Sequence, residues 1–279
     1  MKKLIATSAL ALLVGMGTAL ADEVKIKQNF DLDRIDQKVT NKLEATRSVT
    51  GSKLDGTNIQ NVLQWRDVSP DMGADYGDIY QFDQYTDEEQ RILNEVSSKY
   101  GAVGAELSAT NLQNVLNLED KLGGSEEVGD HILIDQKLED TLQTATNRIT
   151  ADNEVLSGSK AEITNLANVA SVVDQYGGGE YGNIVRLDQM ARDSVQKAEN
   201  VVRSGGVGGI TMSALNGVNI ASFDLKDQSG KADIELDQKT RDITQTISNR
   251  IDASGAVANA TLSGTNLGNV ISFAAAATN

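Results

Sequence analysis

The decapeptide DITQTISNRI (242–251) alternates with a period of two. In an extended chain Ile243, Gln245, Ile247, Asn249 and Ile251 share one face, while Thr, Ser and Arg take the other. DTLQTATNRI (140–149) repeats the pattern with Thr141, Gln143, Ala145, Asn147 and Ile149. The spacing predicts strands whose inner face carries amides among aliphatic side chains. A helical reading stands beside it: Leu138, Leu142, Ala145 and Ile149 make a stripe, and Gln and Asn four residues apart form a helical pair. TDEEQRILNEVSSKY (86–100) reads as helix. The Thr, Ile, Val, Ser and Asn of the third and fifth units favour strands. The expected class is therefore mainly β, a β-solenoid-like repeat rod, with a mixed α/β repeat carrying one helix per unit as the alternative.

The patterned segments recur. A Thr-Asn phrase is spelled LDGTNIQNVLQW from Leu54, LSATNLQNVLNL from Leu107, AEITNLANVASVV from Ala161, MSALNGVNIASF from Met212 and LSGTNLGNVISF from Leu262. Its first asparagines, Asn58, Asn111, Asn165, Asn216 and Asn266, lie 53, 54, 51 and 50 residues apart. An Asp-Gln phrase at the same period ends on Gln37, Gln84, Gln136, Gln189 and Gln238. Between them runs Gln-x-x-x-Asn: Gln90 with Asn94, Gln143 with Asn147, Gln196 with Asn200, Gln245 with Asn249. The first copy departs, carrying Glu44 and Ser48. Two phrases sharing one period divide the chain into residues 1–21, a leader, and five repeats at 22–75, 76–128, 129–180, 181–231 and 232–279. YGGGEYGN (176–183), RSGGVGG (203–209) and DQSGKAD (227–233) read as turn-rich breaks.

Stacked coils about 4.8 Å apart would lay identical inward amides over one another, so that each could bond along the stack. A buried amide left unpaired costs about 1–3 kcal/mol, so such ladders would penalise any slipped register. The competing reading makes the same residues exposed turns and caps. For Thr-Asn-x-x-Asn a turn is expected, because Asn tolerates positive φ.

Composition sharpens this picture. Lys2 and Lys3, the apolar run LIATSALALLVG and Ala19-Leu20-Ala21 before Asp22 read as a bacterial secretory leader. Without Lys2 and Lys3 the chain keeps 23 basic against 40 acidic residues, a formal charge of −17, which disfavours nucleic acid and anionic lipid. The leader's apolar run falls short of the roughly 20 residues a spanning helix needs, and no later run could cross a membrane. There is no cysteine, and aromatics make up 4%, too few for one thick core.

The spaced Gln and Asn of LDQMARDSVQKAENVV (187–202), with QYGGGEYGN before it, resemble the curlin-type repeat proteins and holdfast-anchoring surface proteins of Gram-negative bacteria. That resemblance implies inward amide ladders in a β-solenoid subunit that polymerises into an extracellular fibre.

Candidate chemistry is sparse. His131 is the single histidine, expected at an edge strand or loop, and no Gly-x-Ser-x-Gly elbow accompanies it. The absence of cysteine removes Cys/His nucleophiles and thiolate zinc sites. Asp83 and Asp87 are one of many carboxylate pairs in an acidic chain. GGVGG (205–209) lacks the strand, lysine and helix of a phosphate loop and reads as a flexible turn. DLKDQSGKAD (224–233) offers oxygens to calcium without the acidic alternation of an EF-hand, and reads as a solvated turn. The expectation is an exported, non-enzymatic structural or adhesive protein without cofactor, self-associating at the cell surface, outside the cell or in the periplasm. Other surface or matrix components are further expected partners; nucleic acid is not, nor is integral membrane insertion. The alternative is a monomeric secreted module binding polysaccharide or protein.

Overall fold

The computed structural model describes residues 25–32, 36–67, 79–120, 131–156, 158–174, 184–225 and 233–275; the leader expected at 1–21 lies outside them, as do 176–183 and 227–232 of the expected turns. The described residues form strands and no helix. In chain order, coil 1 holds β1 (Lys25–Leu32), β2 (Gln37–Ala45), β3 (Val49–Thr50) and β4 (Lys53–Asp67). Coil 2 holds β5 (Ile79–Thr86), β6 (Glu89–Ser98), β7 (Ala102–Val103) and β8 (Glu106–Asp120). Coil 3 has β9 (His131–Glu139), β10 (Leu142–Leu156) and β11 (Lys160–Asp174), and coil 4 has β12 (Ile184–Arg192), β13 (Val195–Gly208) and β14 (Thr211–Leu225). Coil 5 holds β15 (Asp233–Arg241), β16 (Thr244–Ala253), β17 (Val257–Ala258) and β18 (Thr261–Ala275).

Equivalent strands of successive coils pair in parallel, giving three long sheets in the orders β1-β5-β9-β12-β15, β2-β6-β10-β13-β16 and β4-β8-β11-β14-β18. The protein is a β-solenoid rod of five coils. At about 4.8 Å per strand, five coils measure about 24 Å along the axis.

Among the described residues, three left-handed residues shape each of coils 3 to 5, and two each of coils 1 and 2. Asp140, Asp193 and Asp242, with φ of 49–52°, turn the first strand into the second. Gly51, Gly104, Gly158 and Gly209, with φ of 60–65°, precede the third strand, and Asn259 at 51° takes that place in coil 5. Asn61, Asn114, Asn168, Asn219 and Asn269, with φ of 48–53°, bend the third strand in its middle. Glycine and short polar side chains are the residues that enter this region at low cost. The bend inverts the alternation: in β11, Ala167 and Asn168 are consecutive and both buried, after which Ala170, Val172 and Asp174 face inward.

The coil flattens into two layers. The outgoing half of the third strand packs on the first-strand sheet, Leu63, Trp65, Leu116, Leu118 and Phe223 meeting Tyr80, Phe82, Ile132, Ile134 and Leu187. The incoming half faces the second-strand sheet, where volumes compensate. Val39, Ile92, Ala145 and Ala198 of one layer share a cluster with Ala109, Ile163 and Ala214 of the other. A Cβ on Gly56 would lie 2.5 Å from Ile92 Cγ2, and one on Gly264 2.8 Å from Ile247 Cγ2. In coils 2, 3 and 5 a large side chain therefore meets a small one, while coil 4 sets Ala198 beside Ala214.

Four expectations are corrected. Residues 86–100 contain strand β6, not a helix: Gln90, Ile92, Asn94, Val96 and Ser98 are buried at period two and stack on neighbouring coils, which overrides helical propensity. RSGGVGG is no break, since Arg203–Gly208 belongs to β13 and pairs with β10 and β17, only Gly209 making the turn. The Thr-Asn phrase is strand with one left-handed residue rather than a turn. Finally, Gln37 does not align with Gln84. It pairs with Gln90, and Asn41 with Asn94, so the first Gln-x-x-x-Asn runs from Gln37 to Asn41 and does not depart at Glu44. The place of Asp-Gln in coil 1 falls to Asn29 and Phe30.

Candidate functional site

The inward amides form five ladders. Along the first-strand sheet Gln136 donates to Gln84 (2.7 Å), Gln189 to Gln136 (2.6 Å) and Gln238 to Gln189 (2.6 Å). In the second-strand sheet Gln90 donates to Gln37 (3.2 Å), Gln143 to Gln90 (3.0 Å), Gln196 to Gln143 (2.6 Å) and Gln245 to Gln196 (2.8 Å). Beside it Asn41 donates to Asn94 (2.8 Å), Asn94 to Asn147 (3.0 Å), Asn147 to Asn200 (3.1 Å) and Asn200 to Asn249 (2.8 Å). On the third-strand sheet Asn58 donates to Asn111, Asn111 to Asn165, Asn165 to Asn216 and Asn216 to Asn266, all at 2.8–3.0 Å. The left-handed corner supplies the fifth ladder, Asn61 to Asn114, Asn168, Asn219 and Asn269 at 2.9–3.0 Å.

Every ladder amide but Asn269, which donates to Thr240 Oγ1, also reaches a backbone carbonyl. Asn147 Nδ2 donates to Glu162 O at 2.9 Å, Gln143 Nε2 to Leu166 O at 3.1 Å, Gln136 Nε2 to Asn114 O at 2.9 Å and Asn168 Nδ2 to Met190 O at 2.9 Å. One N–H thus ties coil to coil and the other ties one segment of the cross-section to another. In coils 2 to 4 these side chains are almost fully buried, which an aliphatic neighbourhood tolerates only when the amide is satisfied.

The ladders have direction. Every asparagine donates toward the C-terminal coil, every glutamine toward the N-terminal coil. Their dipoles oppose, so the core accumulates little net field along its axis. A shorter pair joins Gln113 to Gln60 (3.0 Å), and Gln60 in turn donates to buried Glu88. Coils 3 and 4 replace Gln113 by Ala167 and Val218, packed with Leu138 and Ala191.

Of the expected repeat positions, Gln84, Gln136, Gln189 and Gln238 share one ladder; Gln37, Gln143, Gln196 and Gln245 another; Asn147, Asn200 and Asn249 a third; Asn58, Asn111, Asn165, Asn216 and Asn266 a fourth. The corner ladder was hidden in the sequence because its asparagines read as turn residues. Its signal is their recurrence three residues after Asn58, Asn111, Asn165, Asn216 and Asn266.

The outer face of the first-strand sheet carries a second row, Asp83, Asp135, Asp188 and Asp237 in register. It lies in a groove of about 330 Å³ that also includes Gln81, Leu133, Arg186 and Glu235. Partial burial raises the pKa of Asp135, and the charges of Asp188 and Asp83 push the same way, against Lys137. Below the row, Glu139 is buried; desolvation alone would raise its pKa, but hydrogen bonding and charge from Lys137, then Arg192 and the Tyr85 hydroxyl, hold it below the usual range. His131 stands half-buried at the start of β9, which pairs on both sides, so it is not on an edge. Among the described residues no group of three or more His, Asp or Glu is placed to hold a metal ion. Asp87 lies past the end of β5, and the middle of DLKDQSGKAD lies outside the described residues.

The acidic row makes a prediction. The folded state holds the Asp135 proton to a higher pH than the unfolded chain does, so stability falls as pH rises from the ordinary value of 3.8 through the raised one. Asp135→Asn should therefore stabilise the protein at pH 7 by a few tenths to about 1 kcal/mol, with like charges removed from adjacent strands. The gain should disappear in acid, below that window. Urea denaturation of both proteins across pH 3–7 measures it; a gain that does not change with pH would exclude this origin.

No family model, curated protein or solved structure matches this chain. Its class rests on its own geometry: a parallel β-solenoid, cross-linked by amides. Among the described residues no helix is long and apolar enough to cross a membrane.

Proposed function

We propose that this is an exported, non-enzymatic structural or adhesive surface protein whose copies stack into an extracellular fibre or matrix. One observation carries the reading: four of the five amide ladders run through all five coils and the first-strand ladder through coils 2 to 5, so that each ladder reaches coil 5 unbroken. A rod built this way gains satisfied hydrogen bonds with each added coil, and open strand edges are templates for further parallel pairing. The leader and the acidic composition support action outside the cytoplasm. Negative-stain microscopy of purified protein over a concentration series should show filaments that lengthen with concentration. Compact single particles at every concentration would refute it.

The groove along the Asp83 to Asp237 row favours a second reading, a monomeric secreted module that binds a polysaccharide or protein along one face. It requires a soluble monomer at high concentration that binds no amyloid dye.

A further inference from the structure

We propose that copies of this chain join head to tail, coil 5 of one receiving coil 1 of the next, so that the assembly is polar. This rests on the stacking function above and adds direction and residues to it.

The first argument is hydrogen-bond polarity. In coil 5, Asn249 and Asn266 donate to Ser263 O and Gln245 O, and Asn269 to Thr240 Oγ1, and among the described residues no further coil lies beyond them along the rod. At the other end, Asn58 Oδ1 and Asn61 Oδ1 are buried and accept no hydrogen bond from the described residues. Asparagine donors therefore stand at one end and asparagine acceptors at the other. Glutamine runs the opposite way: Gln245 presents its oxygen where Gln37 of the next copy would present its N–H. Head-to-tail joining continues four of the five ladders, each with its own residue type and sense. The exception is the first-strand ladder, which has Phe30 in coil 1. A two-fold pairing of two C-terminal ends would run the edge strands antiparallel, and would turn asparagine donors toward donors wherever a ladder meets its own copy.

The second argument is apolar. Val257, Leu262, Ile271 and Phe273 are exposed by 40–50%, and all belong to coil 5. Their register partners in coil 4, Val207, Met212, Ala221 and Phe223, are buried by 99% or more. These four therefore sit at inward positions that lack only a following coil. Continuing the register would lay Leu54 over Leu262, Leu63 over Ile271, and Trp65 over Phe273, which already stands 6.3 Å from Phe223, ring to ring. The two ends are not equally ready. Val39 and Leu63 of coil 1 are covered in the single chain, at 6% and 1% exposure, so that face must be uncovered before it docks. Coil 5 is the standing acceptor.

The test uses the full-length protein with Ile271→Lys and Phe273→Lys together, both at exposed positions, checked for unchanged circular dichroism. Asn266→Asp, exposed as well, serves as an independent variant that loses the donor. Alone, each should fail to elongate. Mixed with wild type at one part in ten, the double variant keeps its N-terminal face and stops the ends it joins, so mean fibre length should fall to about ten copies, as for any heterologous chain stopper. Elongation of the variants at the wild-type rate would overturn the proposal, as would a mixture of undiminished length or wild-type protein that halts at dimers. Wild-type protein that stays monomeric would instead defeat the fibre reading on which the proposal rests.

Discussion

Replacing Asn147 by leucine should destabilise the protein by about 3–5 kcal/mol, while the same change at Asn249 should cost about 1 kcal/mol or less. The two asparagines occupy the same ladder and the same strand position. Asn147 accepts from Asn94 at 3.0 Å, donates to Asn200 at 3.1 Å and crosses to Glu162 O at 2.9 Å. Leucine fills a similar volume but leaves an Asn94 N–H, the Asn200 oxygen and a strand carbonyl without partners where water does not reach. Each such loss is worth about 1–3 kcal/mol, and the gain from an extra apolar side chain offsets only part of the total. Asn249 accepts from Asn200 at 2.8 Å and donates to Ser263 O at 2.6 Å, but it is only half-buried, and water can take over both bonds. Guanidinium denaturation of both variants measures the contrast. Equal effects at the two positions would mean that the amides contribute as exposed polar residues and not as a buried network.

At the corner ladder, Asn168→Val should be worse than Asn168→Gly by about 1–3 kcal/mol, with both below wild type. Asn168 holds a φ of 51°, donates to Asn219 and Met190 O at 2.9 Å, and accepts from Asn114 at 2.9 Å. Both substitutions remove the amide and should lose about 2–4 kcal/mol for its partners. Only valine must also carry a branched Cβ into the left-handed region. Thermal unfolding followed by circular dichroism gives the order. Equal losses would show that the bend does not constrain this residue, and a neutral Asn168→Gly would show that the ladder adds nothing beyond the bend.

How much of this was legible varied with the kind of information. Ile243, Gln245, Ile247, Asn249 and Ile251 announced a strand, because a solenoid coil with one face inward writes its period of two directly into the chain. The fivefold repetition was equally open. Residues 86–100 misled because Glu88, Glu89 and Leu93 are strong helix formers, and what holds them extended is stacking against coils 1 and 3, which no local window contains. Gln37 misled by spelling: Ile35-Asp36-Gln37 matches the Asp-Gln phrase, yet the amide four residues later, Asn41, sets its register. At the corner asparagines the sequence shows the positive φ but not the ladder, since one residue can bend the chain and point its amide inward at once. The opposed direction of the Asn and Gln ladders could not be read at all. It is set by which way each amide turns between two neighbours, and the order of residues does not encode that.

X-ray diffraction from aligned fibres tests lengthwise stacking most directly. The expected pattern has the strand spacing of about 4.8 Å on the meridian, along the fibre, with a longer axial repeat of about 24 Å from the five-coil copy. A strand reflection on the equator, perpendicular to the fibre, or an axial repeat unrelated to five strands, would contradict growth of the rod along its own ladders.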